Sequence, residues 1–152
     1  MSIFLSQHGT SAPKNIDAQR GLTPDGAADV TRVAETLAAS GIVVDVIWHS
    51  GKSRAAQTAA LFAASMNPAE GVKLRGGLDP NDDVVALAES LPKNRNELYV
   101  GHLPFMERLL SYMITGNPDS RILRFKNGGV VRLDWDEEGN RWIIGWTVFA
   151  HL

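Results

Sequence analysis

Apolar residues along the chain follow two alternating patterns. Short runs of branched and aromatic residues alternate with longer stretches in which apolar positions recur three and four apart. The first run, Ile3-Phe4-Leu5-Ser6, reads as a buried strand that leaves through Gln7-His8-Gly9-Thr10. A polar loop from Thr10 to Gly21 follows, carrying Pro13, Lys14, Asn15 and Arg20. Thr23-Pro24 then opens a helix, with the threonine as N-cap and the proline at the first helical position. Val30, Val33, Ala34 and Leu37 form its apolar stripe, and Gly41 is its expected C-cap. Val43 to His49 reads as a second strand. Ser50-Gly51-Lys52-Ser53 turns into a helix from Arg54 to about Met66, with Ser53 as the expected cap. Val72-Lys73-Leu74 is a short third strand. The loop from Leu78 to Asp83 carries three carboxylates, Asp79, Asp82 and Asp83. It leads, with Asp82 as cap, into a helix whose apolar side holds Val84, Val85, Leu87, Ala88 and Leu91. Glu97 to Val100 is the fourth strand, ending on Gly101-His102-Leu103-Pro104. A helix from about Pro104 to Thr115 follows, with Phe105, Met106, Leu109, Leu110 and Met113 inward and Gly116-Asn117-Pro118 as its stop. Arg121 to Lys126 fits no single element. Val130 to Trp135 and Trp142 to Phe149 flank a hairpin turn from Asp136 to Asn140.

Strands alternating with helices, then a terminal hairpin, predict an α/β fold. The expected architecture is a mostly parallel central sheet with helices on both faces and a C-terminal hairpin. The 152 residues suit one domain over positions 1–152. A formal net charge of −2 argues against broad binding to nucleic acid or an anionic membrane. The absence of cysteine removes disulfides, thiol nucleophiles and cysteine metal sites, and is compatible with a reducing cytosol. No basic segment followed by an apolar run stands at the N-terminus, so no signal peptide is expected, and no stretch has the ~20 apolar residues of a membrane span. The expected location is cytoplasmic.

The candidate chemistry sits at strand ends. His8 and His102 each follow a buried strand and each neighbour a glycine, at the edge where open α/β sheets bind ligands. Either histidine can equally serve as a packed or capping group. Arg54 falls in the first turn of its helix, where the macrodipole disfavours a cation and an anion would relieve the conflict. A surface arginine paired with a carboxylate is the alternative. Arg20 precedes another helix start, where free backbone N–H groups also favour an anion, although a solvated arginine would look the same. Lys52 and Gly51 can border the same pocket, and His49, inside its strand, reads as structural. If His8, His102 and Arg54 share one edge, one imidazole can attack phosphorus as a neutral nucleophile. The other imidazole and the arginine can then stabilise charge on the phosphoryl oxygens. The histidines lack the accompanying carboxylate spacing of a metal site, and neither metal nor cofactor is expected.

Three segments together resemble the histidine phosphatase superfamily: Gln7-His8-Gly9, Ser50 through Ala59 (SGKSRAAQTA), and Gly101-His102-Leu103-Pro104. The short chain and Arg20-Gly21-Leu22-Thr23-Pro24-Asp25-Gly26 resemble in particular its small branch, the SixA-type phosphohistidine phosphatases. The resemblance covers nearly the whole chain and implies a phosphoglycerate mutase-like fold. It implies that His8 is transiently phosphorylated and that Arg54, His102 and Arg20 bind the phosphoryl group, with Gln7 and Gly9 beside them. It implies a phosphorylated protein or a small phosphorylated molecule as substrate.

The chain also departs from that pattern. Gln7 stands where the family carries an arginine, so an amide replaces a charged fork. By analogy with deleting one preorganised donor, this would cost ~2–4 kcal/mol of transition-state stabilisation, or roughly two to three decades in rate. Gly51 stands in place of the usual proline. The larger members of that family carry an acidic residue that protonates the leaving group, and Asp79 is the nearest candidate for it here. A phosphohistidine substrate needs such an acid least, because a protonated imidazole leaves readily. Three functions follow as alternatives: a phosphohistidine phosphatase, a phosphate- or phosphoprotein-binding module without turnover, and a phosphatase for a small metabolite. The lack of long insertions that would form a lid favours a protein substrate.

Overall fold

The computed structural model describes residues 1–152. Ten elements follow in order: β1 (Ser2–Gln7), α1 (Pro24–Ala39), β2 (Val46–His49), α2 (Ser53–Met66), β3 (Val72–Leu74), α3 (Val84–Ser90), β4 (Glu97–Gly101), α4 (Phe105–Thr115), β5 (Val130–Asp136) and β6 (Arg141–Val148). All six strands form one sheet in the order β3-β2-β4-β1-β5-β6. β3, β2, β4 and β1 run parallel, while β5 and β6 are antiparallel and complete the edge beside β1.

The pleat divides the core. Along β1, Ile3 and Leu5 pack with α3 and α4, whereas Phe4 packs with α1 and α2. β4 does the same: Tyr99 faces the α3–α4 side, and Leu98 and Val100 face the α1–α2 side. A slip of one residue in either strand would exchange these sets between faces, so burial on both sides specifies the register strongly. The outer strand β3 is exposed at every residue; its short length and Lys73 blunt the sheet edge.

Local signals set most helix ends. Thr23 accepts the Gly26 N–H at 2.9 Å as the N-cap of α1, with Pro24 next. Gly41, at φ +77°, follows the Ser40 cap. The cap of α2 is Lys52 rather than Ser53, which already lies inside the helix, and it makes no side-chain capping bond. Arg54 therefore enters the first turn of a helix whose N-terminal amides no side chain has claimed. In α3 the cap is Asp83, which accepts from Val85 and Ala86; Asp82 instead accepts the Asp79 N–H at 2.9 Å and shapes the preceding loop. β2 starts at Val46 rather than Val43, because its pairing with β4 begins at Val46 opposite Glu97; Val43 projects into solvent. Residues 121–126 adopt no regular element, and Phe125 alone of them is buried.

Gly9 has a packing role. A Cβ there would come within 2.7 Å of Val30 Cγ2 and 3.3 Å of the Gly26 carbonyl. The same Val30 methyl would meet a Cβ at Gly128 at 2.9 Å. Val30 thus wedges α1 between the exit of β1 and the entry to β5, and both neighbours must lack a side chain. Gly9→Ala is expected to lower stability by about 1–3 kcal/mol through overpacking. The loss should shrink in a Val30→Ala background, where the wedge is gone. Thermal unfolding of the four proteins checks this; equal losses in both backgrounds would remove the wedge as the cause.

Candidate active site

The ends of β1 and β4 bring the two histidines together. Gln7 pairs with Gly101 in parallel register, and the His8 N–H donates to the Gly101 carbonyl at 3.0 Å. The next residue of each strand is a histidine, and the two imidazole centres lie 5.1 Å apart, tilted by 53°. Both are buried, His8 at 8% exposure and His102 at 1%. They line a cavity of about 330 Å³ together with Gln7, Arg20, Arg54 and Asn127.

Each histidine is held by one specific partner. His8 Nδ1 lies 2.7 Å from the Gly9 carbonyl oxygen. A carbonyl only accepts, so Nδ1 carries the proton and Nε2 keeps its lone pair. Burial pushes the His8 pKa below its ordinary 6.5, the Gly9 carbonyl bond opposes this, and Arg54 and Arg20 add to the depression. His102 Nε2 lies 2.6 Å from Ser50 Oγ, and its buried Nδ1 has no partner. Burial, then the nearby His8, Arg54, Lys52 and Arg20, push the His102 pKa down to about 3. Both imidazoles are therefore neutral near pH 7.

Arg54 stands in the first turn of α2, half-buried, with its Nε buried and unpartnered. No carboxylate pairs with it, and the first turn of α2 carries no acidic residue. Burial, followed by repulsion from Arg20, lowers its pKa. The helix is tied to the loop that follows His8: Thr58 Oγ1 donates to the Arg54 carbonyl at 2.7 Å and accepts the Gly9 N–H at 2.9 Å. Arg20 reaches the same cavity from the loop before α1. It adopts φ +53°, rare for a residue with a side chain. Asp17 accepts the Gly21 N–H and Gln57 the Leu22 N–H, which brace that conformation. Its guanidinium makes two long contacts, to the Ala12 carbonyl and Ser11 Oγ, both at 3.4 Å.

The structure thus gathers Gln7, His8, Arg20, Arg54 and His102 in one cavity and leaves Gly9, Asp79, Gly51 and Lys52 outside its lining. Gly9 does not line it: its N–H is committed to Thr58 and its Cα to packing against Val30. Asp79 does not line it either; exposed, it stands 4.0 Å from Lys52, while its neighbour Pro80 reaches the cavity. Asn127, which sequence reasoning passed over as a turn residue, lines the cavity and donates to the His8 carbonyl at 3.0 Å. No local signal marked it, because its partner lies far away in the chain. Gly51 adopts φ +94°, which proline cannot reach, so its turn has a shape of its own. His49 Nδ1 accepts the Gly51 N–H at 3.0 Å and is structural, as its place in the strand indicated.

Two guanidiniums without a carboxylate partner, two neutral imidazoles, and the buried, unpartnered Arg54 Nε and His102 Nδ1 give this cavity a chemistry suited to a compact anion. Solved structures share this fold. The chain aligns with a protein histidine phosphatase SixA complexed with tungstate over 99% of its own length and 97% of that chain, with TM-score 0.83 and 22% identity. It aligns with a candidate phosphohistidine phosphatase SixA from Agrobacterium tumefaciens over 97% and 96%, with TM-score 0.78 and 23% identity. It aligns with a phosphoserine phosphatase from Entamoeba histolytica, in complex with 3-phosphoglyceric acid, over 96% and 95%, with TM-score 0.74 and 15% identity. The fold is therefore that of histidine phosphatases. No protein-family model and no curated protein matches the chain.

Arg54→Ala is expected to weaken inorganic phosphate binding about ten- to a hundredfold, the loss of hydrogen bonds to a charged group. Arg20→Ala should cost less, because its guanidinium already leans on Ser11 and Ala12. Calorimetric titration of the two variants checks the order; a reversal would make Arg20 the principal anion ligand.

Proposed function

We propose that this chain is a phosphatase that uses His8 as its nucleophile and acts on phosphohistidine proteins. The observation that carries this reading is the Gly9 carbonyl oxygen 2.7 Å from His8 Nδ1, which calls for a proton on Nδ1 and leaves the Nε2 lone pair free, on a ring that lines a cavity with two arginines that no carboxylate pairs. In the first step, His8 Nε2 attacks phosphorus and the bond from phosphorus to the leaving group breaks, its electron pair departing with the leaving group. Arg54, Arg20 and neutral His102 meet the equatorial oxygens as charge shifts onto them. In the second step, water attacks phosphorus and the P–Nε2 bond breaks, its electron pair returning to Nε2; the water's proton passes to solvent, leaving inorganic phosphate and the neutral imidazole.

Two features favour a phosphohistidine substrate. The cavity is lined almost wholly by polar groups, with Leu103 and Pro80 the exceptions, so it can grip a phosphoryl group but offers little to the body of a metabolite. Asp79, the one acid considered for the leaving group, stands outside the cavity lining, exposed and 4.0 Å from Lys52. A leaving imidazole protonated by solvent requires no such acid. His8→Ala should abolish turnover and any acid-labile phosphoenzyme on a phosphohistidine protein, with the fold intact. Unchanged phosphate release would remove His8 from this role.

A second reading is a phosphoryl-binding module without turnover, favoured by the neutral Gln7 in the cavity wall. Gln7→Arg separates the two. A weakened enzyme should gain kcat/KM, by less than the ~10²–10³ expected for one full donor. A binding module should gain anion affinity alone. A loss of kcat/KM would mean that Gln7 belongs to a working pocket.

The pH profile follows from the direction of the His8 shift. A pKa below 6.5 keeps Nε2 unprotonated as pH falls. The acid limb of kcat/KM, which reports the free protein, should therefore lie below pH 6.5. A limb above that value would contradict the buried, cation-flanked histidine.

A further inference from the structure

The two imidazoles are held in opposite ways. His8 meets an acceptor at Nδ1, the Gly9 carbonyl. His102 meets a hydroxyl at Nε2, from Ser50, at 2.6 Å. Ser50 directly follows β2, and the register of β2 on β4 pairs His49 with Val100, which brings Ser50 beside the end of β4. Ser50 Oγ also accepts the Lys52 N–H at 3.4 Å. The Ser50 hydroxyl proton has His102 Nε2 as its one hydrogen-bond acceptor within the protein.

We propose that Ser50 is a positioning residue: its hydroxyl donates to His102 Nε2 and fixes His102 as the Nδ1–H tautomer, a neutral donor to a phosphoryl oxygen. The last clause rests on the phosphatase reading; the tautomer does not. Burial beside His8, Arg54, Lys52 and Arg20 keeps His102 uncharged, so charge cannot supply the donor and the tautomer must. Nδ1 is buried without a partner, as is Arg54 Nε. As an N–H, Nδ1 joins Arg54 Nε–H as a second unclaimed donor suited to one anion. In the other tautomer, its bare lone pair would repel a phosphoryl oxygen. Two histidines 5.1 Å apart thus differ in function through their partners: one presents a lone pair, the other an N–H.

Imidazole ¹⁵N shifts of the native protein at neutral pH test this directly, with Ser50→Ala and Ser50→Thr alongside. The native protein should show a protonated Nδ1 and a bare Nε2 on His102. Ser50→Thr should preserve that pattern, and Ser50→Ala should move the proton toward Nε2 and weaken inorganic phosphate binding about tenfold, the scale of one lost hydrogen bond. A native His102 protonated at Nε2 would overturn the proposal without any variant. So would Ser50→Ala with the native tautomer retained. If the shifts behave as expected but phosphohistidine proteins yield no phosphate, the tautomer assignment stands and the phosphatase reading fails.

Discussion

The parallel pairing of β1 with β4 is the constraint on which the site depends. Gln7 opposite Gly101 sets both strand ends level, and the His8 N–H bonded to the Gly101 carbonyl continues the ladder one residue past β1. Two histidines far apart in sequence then emerge side by side. Because each strand is buried on both faces, a slip in register would carry its large apolar residues to the wrong layer. The geometry of the site is thus maintained by the same burial that maintains the core.

The cavity holds groups that a core would not tolerate unpaired. Arg54 Nε and His102 Nδ1 are buried without partners, and two guanidiniums face a common space. Such an arrangement disfavours the free state, and an anion held there would relieve it by satisfying the unpartnered nitrogens and the charge together. Neutral histidines complete the logic: burial and the same cations that attract an anion keep protons off both rings. The cost falls on acid stability. Both histidines titrate lower in the folded than in the unfolded chain, so stability falls as pH drops below 6.5, toward about 3 for His102.

Rigid connections around the cavity keep these groups in place. Thr58 ties α2 to Gly9, Val30 wedges α1 against the loops on either side of it, and Asn127 ties the turn before β5 to the His8 carbonyl. Arg20 is held in an uncommon backbone conformation by Asp17 and Gln57. Apart from the local Asp17–Gly21 bond, these links join segments distant in the chain, so the site is assembled by tertiary packing at one sheet edge.

The sequence by itself determined what local physics controls. Periodicity located every strand and helix, because alternation and the three–four spacing arise within one element. Thr23-Pro24 and Gly41 marked the ends of α1 for the same reason, and the dipole conflict at Arg54 was legible from its place in the first turn. His8, His102, Arg54 and Arg20 were legible as candidates because each sits at the end or start of an element, where α/β sheets open to ligands. Tertiary structure decided the rest. Whether Asp82 or Asp83 caps α3, and whether Ser53 or Lys52 precedes α2, turned on one residue of helix phase that propensity does not resolve. Gly9 packs against Val30 and does not line the cavity, Asp79 stands outside it, and Asn127 lines it. The partners that fix each imidazole, Gly9 for His8 and Ser50 for His102, belong to this second class. A tautomer depends on which atom lies three ångströms away, and only the folded chain places it there.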